Sequence, residues 1–186
     1  CRTLCGGMAW LLGFSAAAAE PSVHWSCENP ETLPGRLQGF HDFVPGVKGQ
    51  SLQLDGFTTR ILGDPTPLDC LKDGEGFTLR AWVSLGSYPW NWAPILEQGA
   101  FGKSGFSFGV DSNGRFGLGM RVGPEWVLCH SDVPEERLAV RGAKVDLELG
   151  QWYDLAVVFQ PGKAISLYRD GQLVKALPLE ADLTPV

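Results

Sequence analysis

Three large aromatic residues stand at alternate positions of one short segment: Tyr88, Trp90 and Trp92. Pro89 and Pro94 lie beside them and keep the segment out of a helix. Flat aromatic rings stack on the apolar faces of sugars, and they also anchor protein interfaces. If the segment is extended, its alternation points all three rings the same way. Three interpretations stay open: a glycan platform, a surface that packs on a partner domain, or a plug for the core.

The composition indicates the kind of scaffold that must hold these rings. The chain has 186 residues, of which 44% are hydrophobic and 19% charged, as expected for one globular domain. Its 24 glycines and 13 prolines favour short strands and turns over long helices. The net charge of −6 gives no basic footprint and argues against nucleic acid as a partner.

The first nineteen residues differ from the rest of the chain. An apolar run ends in the small residues Ala17–Ala19, which offer an A-x-A cleavage site. The run is too short to span a bilayer. Residues 1–19 are therefore predicted to be a signal peptide, with a mature domain at 20–186 that is secreted, either extracellular or periplasmic. A fragmentary start is the alternative, because the chain begins at Cys1 and Arg2 is the only positive charge of the run.

Cysteines and histidines give little sign of chemistry. The predicted mature chain retains Cys27, Cys70 and Cys129, which allow at most one disulfide bond and leave its partners open. There is no CxxC motif and no Cys/His cluster with metal-binding spacing. The scattered histidines, His24, His41 and His130, are interpreted as structural.

Alternating hydrophobic residues indicate strands along most of the chain. Asn113-Gly114 and Asp170-Gly171 each separate two such runs and predict hairpin turns. The run WYDLAVVF is almost wholly apolar, which is typical of a central strand buried on both sides. The only helical candidate is a short turn near 134–138. About a dozen short strands predict an antiparallel sandwich. The inward positions are expected at Phe77, Leu79, Ala81, Val83, Phe106, Phe108, Val110, Phe116, Leu118, Met120 and Val122.

An ordered set of segments resembles a known family. In order, they are VPGVKGQSLQLDGFTTRI, GFTLRAWVSL, PILEQG, GFSFGVDSNGRFGL, GQWYDLAVVF and ISLYRDGQLV. Together they are similar to the LamG-like jelly-roll domain of the concanavalin A-like lectin/glucanase superfamily, over about residues 22–180. The resemblance implies two packed antiparallel sheets, in agreement with the periodicity.

Two finer features follow from this resemblance. The segment DFVPGVKGQSLQLDGFTTRI and the later YPWNWAPI are similar to LamG-like domains fused to secreted bacterial glycoside hydrolases, particularly fructan-active enzymes of family 32. In those enzymes the catalytic domain is a separate β-propeller. The family's last hairpin is usually followed by one more strand, whereas this sequence ends in LEADLTPV. The resemblance thus implies a C-terminally truncated domain.

The sequence predicts that the chain is not itself an enzyme. Asp146 and Glu148 could share a strand face, as the paired carboxylates of a retaining glycosidase do, but the glucanase motif Glu-x-Asp-x-x-Glu needs a further carboxylate. The pair is interpreted as a solvated edge. The family 32 signatures WMNDPNG and RDP are absent. Gly-Lys-Ser at 102–104 is not a P-loop, since Gln98 stands where the first glycine belongs.

A structural calcium ion is the only cofactor the resemblance suggests, because LamG-like domains often hold one on the sandwich rim. Calcium needs six to eight oxygens, which distant loops can supply together. No ligands can be assigned from the sequence. The candidate aspartates in predicted loops are Asp42, Asp55, Asp64, Asp69, Asp73 and Asp111.

The sequence therefore predicts a non-catalytic module of a secreted carbohydrate-active enzyme. Its partner would be a glycan, bound through Tyr88, Trp90 and Trp92, or the catalytic domain of the same parent chain. The alternative is an adhesion or scaffold domain that binds another protein.

Overall fold

The computed structural model describes residues 23–63, 76–132, 139–140 and 143–179. This part of the chain is almost entirely strand and turn. In order, its strands are β1 (Gly35–Gln38), β2 (His41–Pro45), β3 (Gln50–Leu54), β4 (Arg60–Gly63), β5 (Phe77–Ser84), β6 (Ala93–Ala100), β7 (Ser104–Val110), β8 (Phe116–Val122), β9 (Glu125–His130), β10 (Ala139–Val140), β11 (Ala143–Lys144), β12 (Trp152–Gln160), β13 (Ala164–Arg169) and β14 (Gln172–Pro178).

Two four-stranded antiparallel sheets form a sandwich. The first sheet has the order β14-β13-β12-β5, and the second has the order β6-β7-β8-β9. The core lies between them, and all the inward positions expected from the alternation either belong to it or pack against it. Phe116, Leu118, Leu155 and Phe159 are fully buried at its centre. The predicted all-β sandwich is confirmed, and burial of these side chains is the main force that holds the sheets together.

Both predicted hairpin turns are present. Asp170 and Gly171 have φ angles of 52° and 76°, the two positive values that a type I′ turn requires. Gly114 has φ of 68°, and its amide donates to the carbonyl of Asp111 at 3.0 Å. Asp111 also accepts from the amides of Asn113 and Arg115 through one carboxylate oxygen. These bonds fix the register of β7 with β8.

Strand β12 is central in its sheet, as predicted, but it is not buried on both sides. Its inward residues, among them Leu155 and Val157, are fully buried. The alternating outward residues Trp152, Ala156 and Val158 are half-buried. The apolar composition of the strand therefore reflects one core face and one partly covered outer face.

Before the sandwich, the chain forms a two-stranded ribbon. β1 pairs with β4, and β2 with β3, so the ribbon is one long hairpin with a bend at residues 55–59. Asp55 stabilises the bend by accepting from the amides of Phe57, Thr58 and Thr59. The Thr58 hydroxyl and the Phe57 amide hold the pKa of Asp55 well below its usual range. A single 3-10 turn, Pro30–Thr32, precedes the ribbon and was not expected from the sequence.

Several predictions fall outside the described residues. They are the signal peptide at 1–19, the short turn near 134–138, Cys70, and the aspartates 64, 69 and 73. Within the part of the chain that the structure describes, no helix has the length and hydropathy of a membrane span.

Cys27 and Cys129 are both free thiols in the described part of the chain. Burial raises the pKa of the Cys129 thiol to about 11. At pH 8 this lowers its thiolate fraction about a hundredfold relative to an ordinary cysteine. We expect Cys129 to be alkylated by iodoacetamide at a correspondingly reduced rate in the native protein, and at the ordinary rate in 8 M urea. Mass spectrometry of timed samples measures both rates, and equal rates would contradict the burial of this thiol.

Candidate functional site

The three aromatic residues singled out in the sequence do not point the same way. The segment that carries them is bent at Trp90 and Asn91 instead of being extended. Tyr88 and Trp92 are half-buried, whereas 83% of Trp90 is exposed. The condition for a shared ring direction, an extended segment, is therefore not met, and the three side chains lie in different environments.

Tyr88 anchors the segment to the end of the sandwich. Its hydroxyl donates to the carbonyl of Leu147 at 2.9 Å. Its ring lies against Gly114, where a Cβ atom would come within 3.0 Å of the ring atom Cε1. Gly114 in turn accepts from the Leu147 amide through its carbonyl. Tyr88 thus packs against the hairpin turn at Gly114 and bonds the backbone of the core residue Leu147, which favours the plug interpretation for this residue.

Removal of the Tyr88 hydroxyl is expected to lower stability without affecting the exposed ring nearby. We expect Tyr88→Phe to reduce the free energy of unfolding by about 1 kcal/mol, since one partly buried hydrogen bond is lost. Trp90→Ala is the matched control in the same segment and should change stability by less than about 0.5 kcal/mol. Urea denaturation of the three proteins measures both effects. A larger effect for Trp90→Ala would contradict the assignment of Tyr88 as the anchor.

Trp92 belongs to a different group of rings, on the outer face of the second sheet. Its ring centroid lies 5.5 Å from that of Phe101, which lies 5.2 Å from that of Trp126. Phe101 is in the turn between β6 and β7, and Trp126 is in β9. Phe101 is 42% exposed, while both tryptophans are half-buried. We call these three residues the aromatic layer.

The sheet beneath the aromatic layer has small residues where the rings lie. Ser107 alternates with core residues, so it faces outward, yet it is fully buried. Its hydroxyl accepts from Nε1 of Trp92 at 2.8 Å. A Cβ atom at Gly109 would lie 2.9 Å from the Trp92 ring, and one at Gly119 would lie 2.9 Å from the Trp126 ring. Glycine and serine at these outward positions therefore allow the rings to lie directly on the sheet.

Trp126 differs from Trp92 in one respect. Its Nε1 atom is buried and has no hydrogen-bond partner among the described residues. In strand register, Gly119 beneath Trp126 is opposite Ser107 beneath Trp92. The two indole N–H edges thus approach one small region of the sheet, and both tryptophans remain half-buried as whole residues.

Of the three residues in the aromatic layer, the sequence predicted only Trp92 as a candidate binding residue. Phe101 and Trp126 are distant from it along the chain, and only strand pairing brings the three together. The available signal was the run FGLGMRV, whose glycines occupy the outward positions of β8. Glycine in a strand interior often marks a close approach of another group. That pattern, together with Trp126 on the next strand, could have indicated a covered outer face.

Asp146 is not part of a solvated edge, contrary to the sequence interpretation. Residues Val145, Asp146 and Leu147 are all buried, so the segment lacks strand alternation, and exposure begins at Glu148. Asp146 forms an ion pair with Arg169 and accepts from the Ser131 hydroxyl at 2.5 Å. Its carboxylate therefore joins the ends of β9 and β13, and these contacts fit a structural role.

The described aspartates do not fit a calcium site. Asp42 lies in strand β2 instead of a loop, and the carboxylate of Asp55 is bonded to its own bend. Asp111 accepts from two backbone amides and from the guanidinium of Arg115 at 2.7 Å. Among the described residues there is no group of three or more histidine, cysteine, aspartate or glutamate residues that could hold a metal ion.

Comparison with known families gives one match. The Laminin_G_3 model, described as concanavalin A-like lectin/glucanases superfamily, matches residues 62–185, or two-thirds of the chain. The match begins after most of the ribbon and includes both sheets of the sandwich. No curated protein matches the chain by sequence.

Solved structures with a similar fold include three of botulinum neurotoxins. One is the binding domain of botulinum neurotoxin DC in complex with rat synaptotagmin II, with a TM-score of 0.55, 12% identity, and coverage of 80% of this chain and 36% of that one. The same binding domain in complex with SialylT has a TM-score of 0.53 and 13% identity, with coverage of 81% of this chain and 37% of that one. A structure concerning type C neurotoxin and two ganglioside molecules has a TM-score of 0.51 and 11% identity, with coverage of 81% of this chain and 38% of that one. The chain thus spans little more than a third of these neighbours.

Proposed function

The chain belongs to the concanavalin A-like lectin/glucanases superfamily, and on that premise we propose that it is a non-catalytic module that binds a glycan through the aromatic layer. The observation that carries this proposal is the set of three contacting rings, Trp92, Phe101 and Trp126, on an outer sheet face. Apolar rings of this kind complement the C–H faces of sugars, while nearby polar groups bind the hydroxyls.

The aromatic layer is held in place before any ligand binds. The hydrogen bond from Trp92 to Ser107 fixes one ring, and glycine at position 119 lets the Trp126 ring pack directly on the sheet. A ligand that stacks on these rings therefore does not need to order them first. Preorganisation of this kind favours affinity because little conformational entropy is lost on binding.

We propose that the chain has no hydrolytic activity of its own. Asp146, the buried member of the carboxylate pair considered in the sequence, is already bonded to Arg169 and Ser131. A retaining glycosidase needs both carboxyl groups to reach the sugar. Arg169 and Ser131 would have to be displaced before Asp146 could do so.

An affinity gel tests the binding proposal directly. The full chain is run through native gels that contain inulin, xylan or laminarin, beside a gel without polysaccharide. We expect at least one of these polymers to retard the protein. If none of these polymers retards it, and neither hydroxyethylcellulose nor glycol chitin does, the glycan-binding proposal is wrong.

We further propose that the module is part of a secreted glycoside hydrolase, with a fructan-active enzyme of family 32 as the specific candidate. The support is the resemblance of Asp42–Ile61 and Tyr88–Ile95 to modules of such enzymes. We expect the parent gene to encode a β-propeller with a WMNDPNG-like segment, and the secreted protein to begin at Glu20. Gene sequencing and N-terminal sequencing of the secreted protein test the two expectations separately.

Docking onto another protein domain is the second candidate function. It is favoured by the outer face of the first sheet, where Trp82 is 51% exposed and Leu173 is 57% exposed. The neurotoxin neighbours include complexes with a protein and with SialylT. The partner would be the catalytic domain of the same parent chain or a separate protein. Trp82→Ala should weaken such docking and leave retardation by polysaccharide unchanged.

A further inference from the structure

The rings of the aromatic layer are in contact but they are not coplanar. Trp92 and Phe101 are inclined by 36°, and Phe101 and Trp126 are inclined by 62°. With centroid spacings of 5.5 and 5.2 Å, the layer is a short surface that turns along its length. It offers a sequence of differently oriented faces to a ligand.

The inclination between Trp92 and Phe101 is held by a hydrogen bond of Trp92 to the sheet. Rotation of Trp92 into the plane of its neighbours would break its 2.8 Å hydrogen bond with Ser107. Trp126 occupies the space that a side chain at position 119 would fill, since a Cβ atom there would lie 2.9 Å from its Cζ2 atom and 3.1 Å from its Nε1 atom. A flat crystalline polysaccharide requires coplanar rings, because its chains present a plane. A layer with fixed inclinations instead fits a single chain that twists.

Charge around the layer favours a neutral ligand. Lys103 follows Phe101 by two residues, and Arg121 is the cross-strand neighbour of Trp126. They are balanced by Glu125, which precedes Trp126, and by Glu97, which is opposite Ser107. The guanidinium of Arg121 donates to the carbonyl of Gly123 at 3.0 Å. With a net charge of −6 on the whole chain, a polyanionic glycan would be repelled and would find no local excess of positive charge.

We propose that the aromatic layer selects single, non-crystalline chains of a neutral glycan. This inference rests on the glycan-binding function proposed above and adds the physical state and charge of the ligand. It distinguishes this module from the neighbouring neurotoxin domains, whose structures concern gangliosides and SialylT.

The test uses pairs of probes that share a polysaccharide backbone, one dissolved and one crystalline, and the two inulin probes differ in physical state alone. The full chain is run in affinity gels with hydroxyethylcellulose, glycol chitin or dissolved inulin. It is also mixed with microcrystalline cellulose, crystalline chitin and crystalline inulin, and the unbound protein is measured after centrifugation. Heparin and polygalacturonate gels provide the acidic probes. We expect retardation by at least one dissolved neutral polymer, no adsorption to its crystalline form and no retardation by the acidic polymers.

The other possible results contradict different parts of the proposal. Adsorption to a crystalline form as strong as binding to its dissolved counterpart would overturn the selection of single chains, and retardation by heparin or polygalacturonate would overturn the preference for neutral glycans. Both results would leave glycan binding itself intact. If no probe of either kind is bound, the proposed function and this inference both fail.

A positioning role for Ser107 gives a second readout. Ser107→Ala removes the acceptor that fixes the Trp92 ring, and we expect about fivefold weaker binding to the dissolved polymer together with increased adsorption to its crystalline form. Ser104→Ala, an exposed position at the start of the same strand, is the matched control. Unchanged selectivity in Ser107→Ala would show that the fixed inclination does not determine the choice of ligand.

Discussion

Phe101→Ala is expected to weaken glycan binding at least about 30-fold, or ~2 kcal/mol, the loss typical of a central binding residue. Phe101 is the middle ring of the aromatic layer, and its removal separates the two tryptophans that it contacts. It lies in an exposed turn and is 42% exposed, so the sandwich core should be unaffected. Affinity electrophoresis over a range of polysaccharide concentrations gives the ratio of dissociation constants.

Trp82→Ala is the matched control for this variant. Trp82 is also a large exposed aromatic residue, but it projects from the outer face of the other sheet. We expect its binding to match that of the wild type. Equal losses of glycan affinity in both variants would show that binding follows general surface hydrophobicity. Unchanged affinity in Phe101→Ala would show that the aromatic layer is not the binding site. Circular dichroism and urea denaturation verify that both variants remain folded.

Asp146→Ala is expected to lower the free energy of unfolding by about 3–5 kcal/mol, because it leaves a buried ionic partner uncompensated. Asp146 is fully buried, and its partner Arg169 keeps only 17% of its side chain exposed. The hydroxyl of Ser131 also loses its acceptor. A cost of this size is a large share of the stability of a typical domain, so part of the protein should be unfolded at 37 °C.

Asp132→Ala provides the comparison within the same region. Asp132 also forms an ion pair, with Lys175 at 2.7 Å, but 67% of its side chain is exposed. Screening by water should limit its contribution to about 0–1 kcal/mol. Denaturant unfolding of the two variants measures the difference. A cost below about 1 kcal/mol for Asp146→Ala would contradict the interpretation of this carboxylate as a buried structural group.

The core and the hairpins could be predicted from the sequence because both depend on local patterns. Phe106, Phe108 and Val110 alternate along one strand, and period-2 alternation directly gives the face that is buried. Asp170-Gly171 forms its turn because few residue pairs tolerate two successive positive φ angles. Signals of this type need no knowledge of what lies across the sheet.

The aromatic layer and the Asp146 network depend on contacts between distant parts of the chain. Trp92 was predicted as a binding residue, but its ring direction follows from the bend at Trp90 and from the acceptor at Ser107. Asp146 was interpreted as solvated because nothing in its own segment shows that Arg169 and Ser131 meet it. Long-range pairing of strands determines both the contacts of Trp92 and the partners of Asp146, and this pairing cannot be read from a single sequence.

The position of the glycan site can be measured through the indole N–H signals of the protein. In ¹H–¹⁵N spectra, the retarding polysaccharide, shortened to oligosaccharides, is titrated into the full chain, and the signals are assigned with single Trp→Phe variants. We predict that the Nε1–H signals of Trp92 and Trp126 shift with one common saturation curve, whereas those of Trp82 and Trp152 on the opposite sheet do not move. Shifts confined to Trp82 and Trp152, with Trp92 and Trp126 unchanged, would contradict the assignment of the aromatic layer as the binding site.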